Sequence, residues 1–265
     1  MSYPSLEKDR KIQSEKYGNM KKYELKGFEI MEYEALASTN TEAASVAPFR
    51  EAGRIVVLTY RQLSGRGQAG NSWESSPDSN FSFTVILYPG FFPASEQFAI
   101  SMAVSLACTD FLGRYAEGIC VKWPNDIYAG ERKIGGILIE HAVRGSYIAY
   151  SLCGIGLNMN QKEFLSDAPN PVSLTNLTGR EYDLRECLPF LLEALGKRMD
   201  GISDFCRLKK DYMSLLYRKD VWADWEDAKG SFRAVIEDVD DYGRLVLKDE
   251  TGRRRIYGFK QVIYR

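Results

Sequence analysis

ERKIGGILIEHAV (residues 131–143) and SYIAYSLCGIGLNMN (residues 146–160) are the stretches whose reading decides the fold. Both are rich in β-branched and aromatic residues, and together they read as a strand pair within a sheet. Tyr128-Ala129-Gly130-Glu131-Arg132 supplies a hairpin turn at the entrance to the first run. Glycine weakens a strand, so its presence inside one points to a close approach. Gly135 and Gly136 would admit another backbone or a ligand, and the glycines of GIGLNMN (154–160) suggest that something flat packs on that face.

Outward from this pair the chain alternates strand and helix signals. FEIMEYEAL (28–36), RIVVLTY (54–60) and NFSFTVILY (80–88) read as strands. STNTEAASVAPFR is predicted to be helical, with Thr39 and Glu42 at capping-box spacing, so that the Thr39 hydroxyl would cap the helix start. SEQFAISMAVSLACTDFLGRYA (95–116) is nearly all apolar and predicts a central helix, and a helical pair is expected over 183–217. From Trp222 the pattern alternates apolar and polar residues, with turns at Asp241-Tyr242-Gly243 and Glu250-Thr251-Gly252, and predicts three or four short strands. The expected class is α+β: a mixed β-sheet backed by helices, followed by a small β-barrel. Residues 1–27 carry seven basic and four acidic side chains with little apolar periodicity, and read as a solvated, disordered extension.

Composition narrows the function classes. The chain has 265 residues, 45% hydrophobic and 27% charged, with 35 basic and 36 acidic side chains and a net charge of −1. Near-neutral charge argues against a surface that grips nucleic acid or an anionic membrane as a whole. No apolar run approaches the ~20 residues of a membrane span, and the N-terminal stretch lacks the apolar core of a signal peptide. Five widely spaced cysteines without a CxxC pair argue against a disulfide framework. The single histidine, His141, reads as structural. A cytoplasmic protein without a bound metal is the simplest expectation.

Four segments carry the candidate chemistry. In the 61–73 loop, Gly65, Gly67 and Gly70 expose backbone amides around Arg66, a pattern suited to an anion. It is neither a phosphate-binding GxxxxGK[ST] loop nor a GxGxxG fingerprint, because Asn71 follows Gly70. VKWPND (121–126) reads as a corner between strands, with Trp123 in packing. Lys133 follows the hairpin turn, and GIGLNMN closes the set.

Taken in order, Ser38-Thr39-Asn40, the GRGxxGxxW element at 65–73, KWPND at 122–126, the RKxGGILxE run at 132–140 and GxGxNMN at 154–160 resemble the biotin protein ligases. The resemblance is strong over 29–160, while the tail is similar to that family's SH3-like domain in pattern alone. It implies a class II synthetase-like ligase core over 28–218 and an SH3-like β-barrel over 219–265. It also implies a biotin–[acetyl-CoA-carboxylase] ligase without the N-terminal DNA-binding domain. The activity it implies is ATP-dependent: biotin plus ATP gives biotinyl-5′-AMP, and the biotinyl group then passes to a lysine of a biotin carboxyl carrier domain.

By motif matching, the resemblance assigns biotin contacts to Ser38, Thr39, Asn40, Gln62, Gly65, Arg66, Lys133, Gly135, Gly136 and Gly154. It assigns nucleotide contacts to Gly67, Gln68, Trp73, Asn125, Lys133, Asn158 and Arg265. Lys133 would stabilise charge growing on the α-phosphate. Asp126 would orient Lys133 or Lys122, help hold Mg²⁺, or take the proton of the carrier lysine in the transfer step, and Arg66 would hold the loop over the ligand. Many bacterial members carry arginines where Gln68 and Asn71 stand. Their absence implies either a reduced grip on triphosphate or compensation from Arg61 or the Arg253–Arg255 cluster. No DNA or membrane partner is expected, and a sheet edge near 134–160 would permit a homodimer. Two other readings remain: a lipoate-ligase-like acyl-adenylating transferase, and a non-catalytic biotin-binding protein.

Overall fold

Strand periodicity divides the protein into two faces, starting from a fully buried central strand. In β6 (Phe81–Leu87), Phe81, Phe83, Val85 and Leu87 enter one core while Ser82, Thr84 and Ile86 face the other way. β3 (Arg54–Thr59) repeats the split, with Val56 and Leu58 in the larger core and Ile55 and Val57 in the smaller. The computed structural model describes residues 19–90, 92–166, 168 and 170–265.

The remaining strands are β1 (Met20–Leu25), β2 (Phe28–Tyr33), β4 (Gly65–Arg66), β5 (Ser72–Trp73), β7 (Ile119–Lys122), β8 (Asp126–Ala129), β9 (Arg132–Arg144) and β10 (Tyr147–Leu157). Eight of these ten strands form one sheet in the order β1-β2-β3-β6-β10-β9-β8-β7, and β4 and β5 form a separate two-stranded ribbon. Only β2 and β3 pair in parallel, which makes the sheet mixed. Helices α1 (Thr39–Val46), α2 (Phe98–Leu112), α3 (Leu174–Thr178), α4 (Leu184–Asp200) and α5 (Phe205–Ser214) cover it. α2, almost wholly buried, α4 and α5 contribute to the larger core, and α1 contributes Ala43 to the smaller one.

Several expectations need correcting. The predicted extension contributes β1, an outer strand antiparallel to β2. Its sequence MKKYEL looked unstructured because most of its side chains face solvent, while Tyr23 and Leu25 lean on the core and the Tyr23 hydroxyl donates to Glu32 Oε2 at 2.8 Å. Residues 1–18 lie outside the described residues. β9 and β10 are interior strands, so the expected sheet edge exists only where β9 outruns β8 and Asn125, beyond Ile137. α3 was not foreseen; a capping box between Ser173 and Asn176 starts it and left-handed Gly179 ends it.

The C-terminal segment holds five strands: β11 (Ala223–Asp227), β12 (Gly230–Val239), β13 (Leu245–Asp249), β14 (Arg254–Tyr257) and β15 (Val262–Tyr264). They form an antiparallel sheet in the order β14-β13-β12-β11-β15. The expected barrel is not closed, because the turn at Gly258–Gln261 carries β15 across to β11 and leaves the outer edge of β14 unpaired. Several contacts tie this sheet to the larger domain, among them the Lys209–Asp238 ion pair and the two that follow. Trp123 Nε1 donates to Gly243 O at 2.8 Å. Lys122 Nζ donates to the Tyr128 hydroxyl at 3.0 Å and lies within 6 Å of the rings of Tyr128, Tyr217 and Tyr264. Among the described residues no helix is long and apolar enough to cross a membrane.

Phe111 packs edge-to-face on Phe81 (6.1 Å) and Tyr115 (5.4 Å) in the larger core. Phe111→Ala is therefore expected to lower stability by about 3–5 kcal/mol, the usual cost of a buried phenyl cavity. Denaturant unfolding followed by far-UV circular dichroism checks it.

Candidate active site

At one end of β9 and β10, Gly136 and Gly156 are paired across the ladder. Side chains there would occupy the face opposite the larger core. Instead the Trp73 indole lies flat on both glycines: a Cβ at Gly156 would sit 2.6 Å from Trp73 Cζ2, and one at Gly136 would sit 3.1 Å from Cζ3. The flat partner anticipated for the GIG segment is thus the chain's own tryptophan. Trp73 is held there by the β4–β5 ribbon, so the predicted 61–73 loop is in fact a short hairpin. The Gly67 amide donates to Asn71 O at 2.7 Å across it. The indole Nε1 is buried without a hydrogen-bond partner, as is Gln68 Oε1. Two buried polar atoms left open in this way mark where a ligand can bond.

Beside the indole stands Lys133, its Nζ 5.9 Å from the Trp73 ring and 2.7 Å from Asp126 Oδ1. Both side chains of this ion pair are about four-fifths buried, so water screens it less than a surface pair. The pairing follows from the hairpin: β8 starts at Asp126 and β9 returns past it with Lys133 near its start. Of the two lysines the sequence offered it, Asp126 pairs with Lys133. Lys122, the alternative partner, is occupied in its tyrosine cage. Asn125 extends the ladder past β8, accepting from Ile137 N–H and donating from Nδ2 to Ile137 O, both at 2.9 Å.

The other wall is the start of α1. Ser38 occupies the cap position, but its side chain makes no capping bond. The Thr39 hydroxyl, expected to cap the helix, turns inward and bonds to Gln62 Oε1 (3.3 Å) and Thr84 Oγ1 (2.9 Å). Gln62 Oε1 also accepts the Thr39 amide at 2.9 Å. Asn40 lies against Gly154, where a Cβ would come within 2.9 Å of its Cγ. Asn40 Oδ1 accepts from Thr84 Oγ1 (2.6 Å), and Nδ2 donates to Glu140 Oε2 (2.9 Å). The other oxygen of Glu140 holds Arg66 Nη2 at 3.1 Å. One hydrogen-bonded network thus runs from Gln62 through Thr39, Thr84 and Asn40 to Glu140 and Arg66. Its last link is half exposed and easily broken.

These walls enclose a cleft of about 750 Å³, lined by thirteen of the seventeen sequence-predicted site residues: Ser38, Thr39, Asn40, Gln62, Arg66, Gly67, Gln68, Trp73, Asn125, Asp126, Lys133, Gly136 and Gly154. Four do not line it. Gly135 faces the larger core, where a Cβ would meet Leu157 and Ile127, because neighbouring strand residues point to opposite faces. Gly65 is packed inside the hairpin against Trp73 and Gln62. Asn158 lies past the end of β10 and donates from Nδ2 to Val172 O at 3.1 Å. Arg265 pairs with Glu226 in the C-terminal sheet. The arginines considered as compensation are also elsewhere: Arg61 lies 3.9 Å from Asp78, Arg254 pairs with Glu237, and Arg255 pairs with Asp249.

Sequence reading missed the residues that reach the cleft from afar. Phe259 comes from the C-terminal sheet, and Ser166 and Ala168 come from the segment after β10. Gly156 was visible in the GIG motif but not singled out.

The comparisons with known proteins agree with this arrangement. The Biotin/lipoate A/B protein ligase family model matches residues 34–158, and the Biotin protein ligase C terminal domain model matches 226–260. The biotin--[acetyl-CoA-carboxylase] ligase of Paracoccus denitrificans is 30% identical over 230 residues, covering 83% of this chain and 94% of that protein. The bifunctional ligase/repressor BirA of Bacillus subtilis is 25% identical, covering 89% of this chain and 74% of its own length. The fold is shared with the Aquifex aeolicus biotin protein ligase solved with biotin and ATP (TM-score 0.73, 21% identity, 89% and 98% covered). Fold and cleft together define a ligase core of the biotin/lipoate type. Within that class, the chain belongs to the biotin protein ligase family.

Gly156→Ala places a methyl group inside the indole and must lift Trp73 off the strands. Tryptophan emission is expected to shift to the red and binding of the adenylated ligand to weaken at least tenfold, with far-UV circular dichroism unchanged.

Proposed function

We propose that this chain is an ATP-dependent biotin protein ligase working in the cytoplasm, where its five unpaired cysteines would stay reduced. The observation that carries the reading is Lys133 Nζ, held 2.7 Å from Asp126 beside a glycine floor covered by Trp73. A biotin carboxylate oxygen attacks the α-phosphorus of ATP, the bond to the β-phosphate oxygen breaks, and pyrophosphate leaves. Negative charge grows on the α-phosphate oxygens, where the fixed ammonium of Lys133 stabilises it without changing its own protonation. In the second step a carrier lysine amine attacks the acyl carbon, the acyl–phosphate bond breaks, AMP leaves, and the amine gives up a proton.

The two walls suit the two halves of the intermediate. The α1 start presents Ser38, together with Thr39 and Asn40 fixed by Gln62 and Thr84, to the ureido edge of biotin, beside the Leu138 and Gly154 surface. Trp73, Gln68 and Asn125 serve the nucleotide, with two open polar atoms among them. Arg66 reaches the carboxyl or phosphate once Glu140 releases it.

Mg²⁺ fits here only as a companion of the nucleotide. Among the described residues no three His, Cys, Asp or Glu side chains converge, and Asp126 is already paired. Carried in on phosphate oxygens, the ion would neutralise pyrophosphate as it leaves. The carrier domain of a biotin-dependent carboxylase is the acceptor in this reading. A homodimer would use the edge of β9 beyond Ile137, past the reach of Asn125.

Incubation with ATP and either biotin or lipoate, followed by mass spectrometry, is expected to yield biotinyl-5′-AMP and no lipoyl adenylate. The reverse outcome removes the reading. Lys133→Ala is expected to lower adenylate formation by a factor of about 10² or more, the scale of a lost transition-state contact. Arg66→Ala is expected instead to form the adenylate and leak it into solution.

A further inference from the structure

Glu74 follows Trp73 directly, and its carboxylate is enclosed by donors from a distant stretch of chain. Oε1 accepts from Gln161 Nε2 (2.8 Å) and the Leu165 amide (3.0 Å); Oε2 accepts from the Leu165 amide (3.1 Å) and the Ser166 amide (2.7 Å). Among the described residues no lysine or arginine forms an ion pair with it. The charge is stabilised instead by converging N–H groups, an arrangement that gives strong, charge-assisted bonds. Burial works against the charge, but these bonds outweigh it and hold the Glu74 carboxyl below the usual carboxylate range.

The donors are themselves fixed. Gln161 is 2% exposed, and its Oε1 accepts from Asn80 Nδ2 (2.6 Å) and the Ser76 amide (3.0 Å). Asn80 in turn accepts the Met159 amide at 2.9 Å, just beyond the end of β10. A continuous line of hydrogen bonds therefore joins the start of β6, the end of β10, the exit of the Trp73 hairpin and the 161–166 segment. Two of the elements it joins line the cleft, through Trp73 and Ser166.

We propose that Glu74 is a positioning residue that makes the 65–73 hairpin and the 161–166 segment close over the acyl-adenylate as one unit. The inference rests on the ligase reading given above. Apart from Trp73, neither element has much buried apolar surface of its own: Leu63 beside the hairpin is 64% exposed and Leu165 is 90% exposed. Each alone would open at little cost. Tied through Glu74, opening one requires breaking the bonds to the other, and the mixed anhydride is shielded from water until the carrier arrives. The contact is also selective for an acid. Glutamine in its place would set an amide –NH₂ against the Leu165 and Ser166 amides, leaving one oxygen for donors that now share two.

The test is amide hydrogen exchange on the full chain, read for 65–73 and 161–166, in the parent, Glu74→Ala and Glu74→Gln. It is paired with the release rate of free adenylate after one turnover. The expected result is that both segments exchange at least tenfold faster together in Glu74→Ala, and to a smaller degree in Glu74→Gln, while β6 and β10 are unchanged. Adenylate release should rise at least tenfold while its formation slows less than threefold, a split that general loss of structure would not give. If Glu74→Ala does not fold, Glu74→Gln alone decides. Faster exchange confined to 161–166, or release at the parent's rate, overturns the coupling. If the parent forms no biotinyl-adenylate, the ligase reading falls, and the exchange comparison still settles whether the two segments move as one.

Discussion

β9 and β10 meet at Gly136 and Gly156 with no side chain on one face, and the cleft is organised around that bare patch. A sheet otherwise presents a row of Cβ atoms that keeps flat groups at a distance. Here two backbones lie open, and the Trp73 indole settles on them at van der Waals range or closer than any Cβ would allow. Gly154 does the same for Asn40 one pair along. The hairpin that carries Trp73, the α1 start that carries Asn40, and the Glu140 link between Asn40 and Arg66 are all arranged relative to this floor.

Charge is distributed with equal economy. The cleft is lined by two cations, and each is held by a carboxylate: Lys133 by Asp126 and Arg66 by Glu140. The two pairs differ in burial. The Lys133 pair is mostly buried and fixed in place, as a group that stabilises developing charge has to be. The Arg66 pair is half exposed, weakly held and free to exchange its partner for an anion. Gln68 and Asn71 add no charge, and among the described residues no arginine other than Arg66 lines the cleft. In the proposed reaction, retention of the intermediate would depend on Arg66, on Trp73 and on how firmly the covering elements are tied down.

What the sequence made legible follows from how local each signal is. β3 and β6 were readable because their apolar runs are buried on both faces, β9 and β10 because their β-branched and aromatic runs are long, and α2 because it is apolar all round. The cleft residues carried by contiguous motifs, such as Lys133, Gly136 and Arg66, could be found the same way. β1 escaped because an outer strand buries little and its composition is that of a solvated tail. Thr39 was assigned a cap because capping spacing is a local rule, whereas its partner Thr84 lies forty-five positions away. Gly135 and Asn158 stand inside matching motifs yet face the core or its neighbours, a consequence of strand alternation that a motif does not record. Phe259, Ser166 and Glu74 had no local signal at all. Their place depends on how distant segments meet.

A structure of the chain with a non-hydrolysable biotinyl-adenylate mimic tests the central claim most directly. The account predicts the phosphate-mimicking group within ion-pair distance of Lys133 Nζ, with Asp126 still holding that lysine. It also predicts the biotin ring between the α1 start and the Gly154 strand, and the nucleotide against Trp73. A mimic bound away from Lys133, or one that leaves the Gly136–Gly156 floor and its tryptophan untouched, would contradict it.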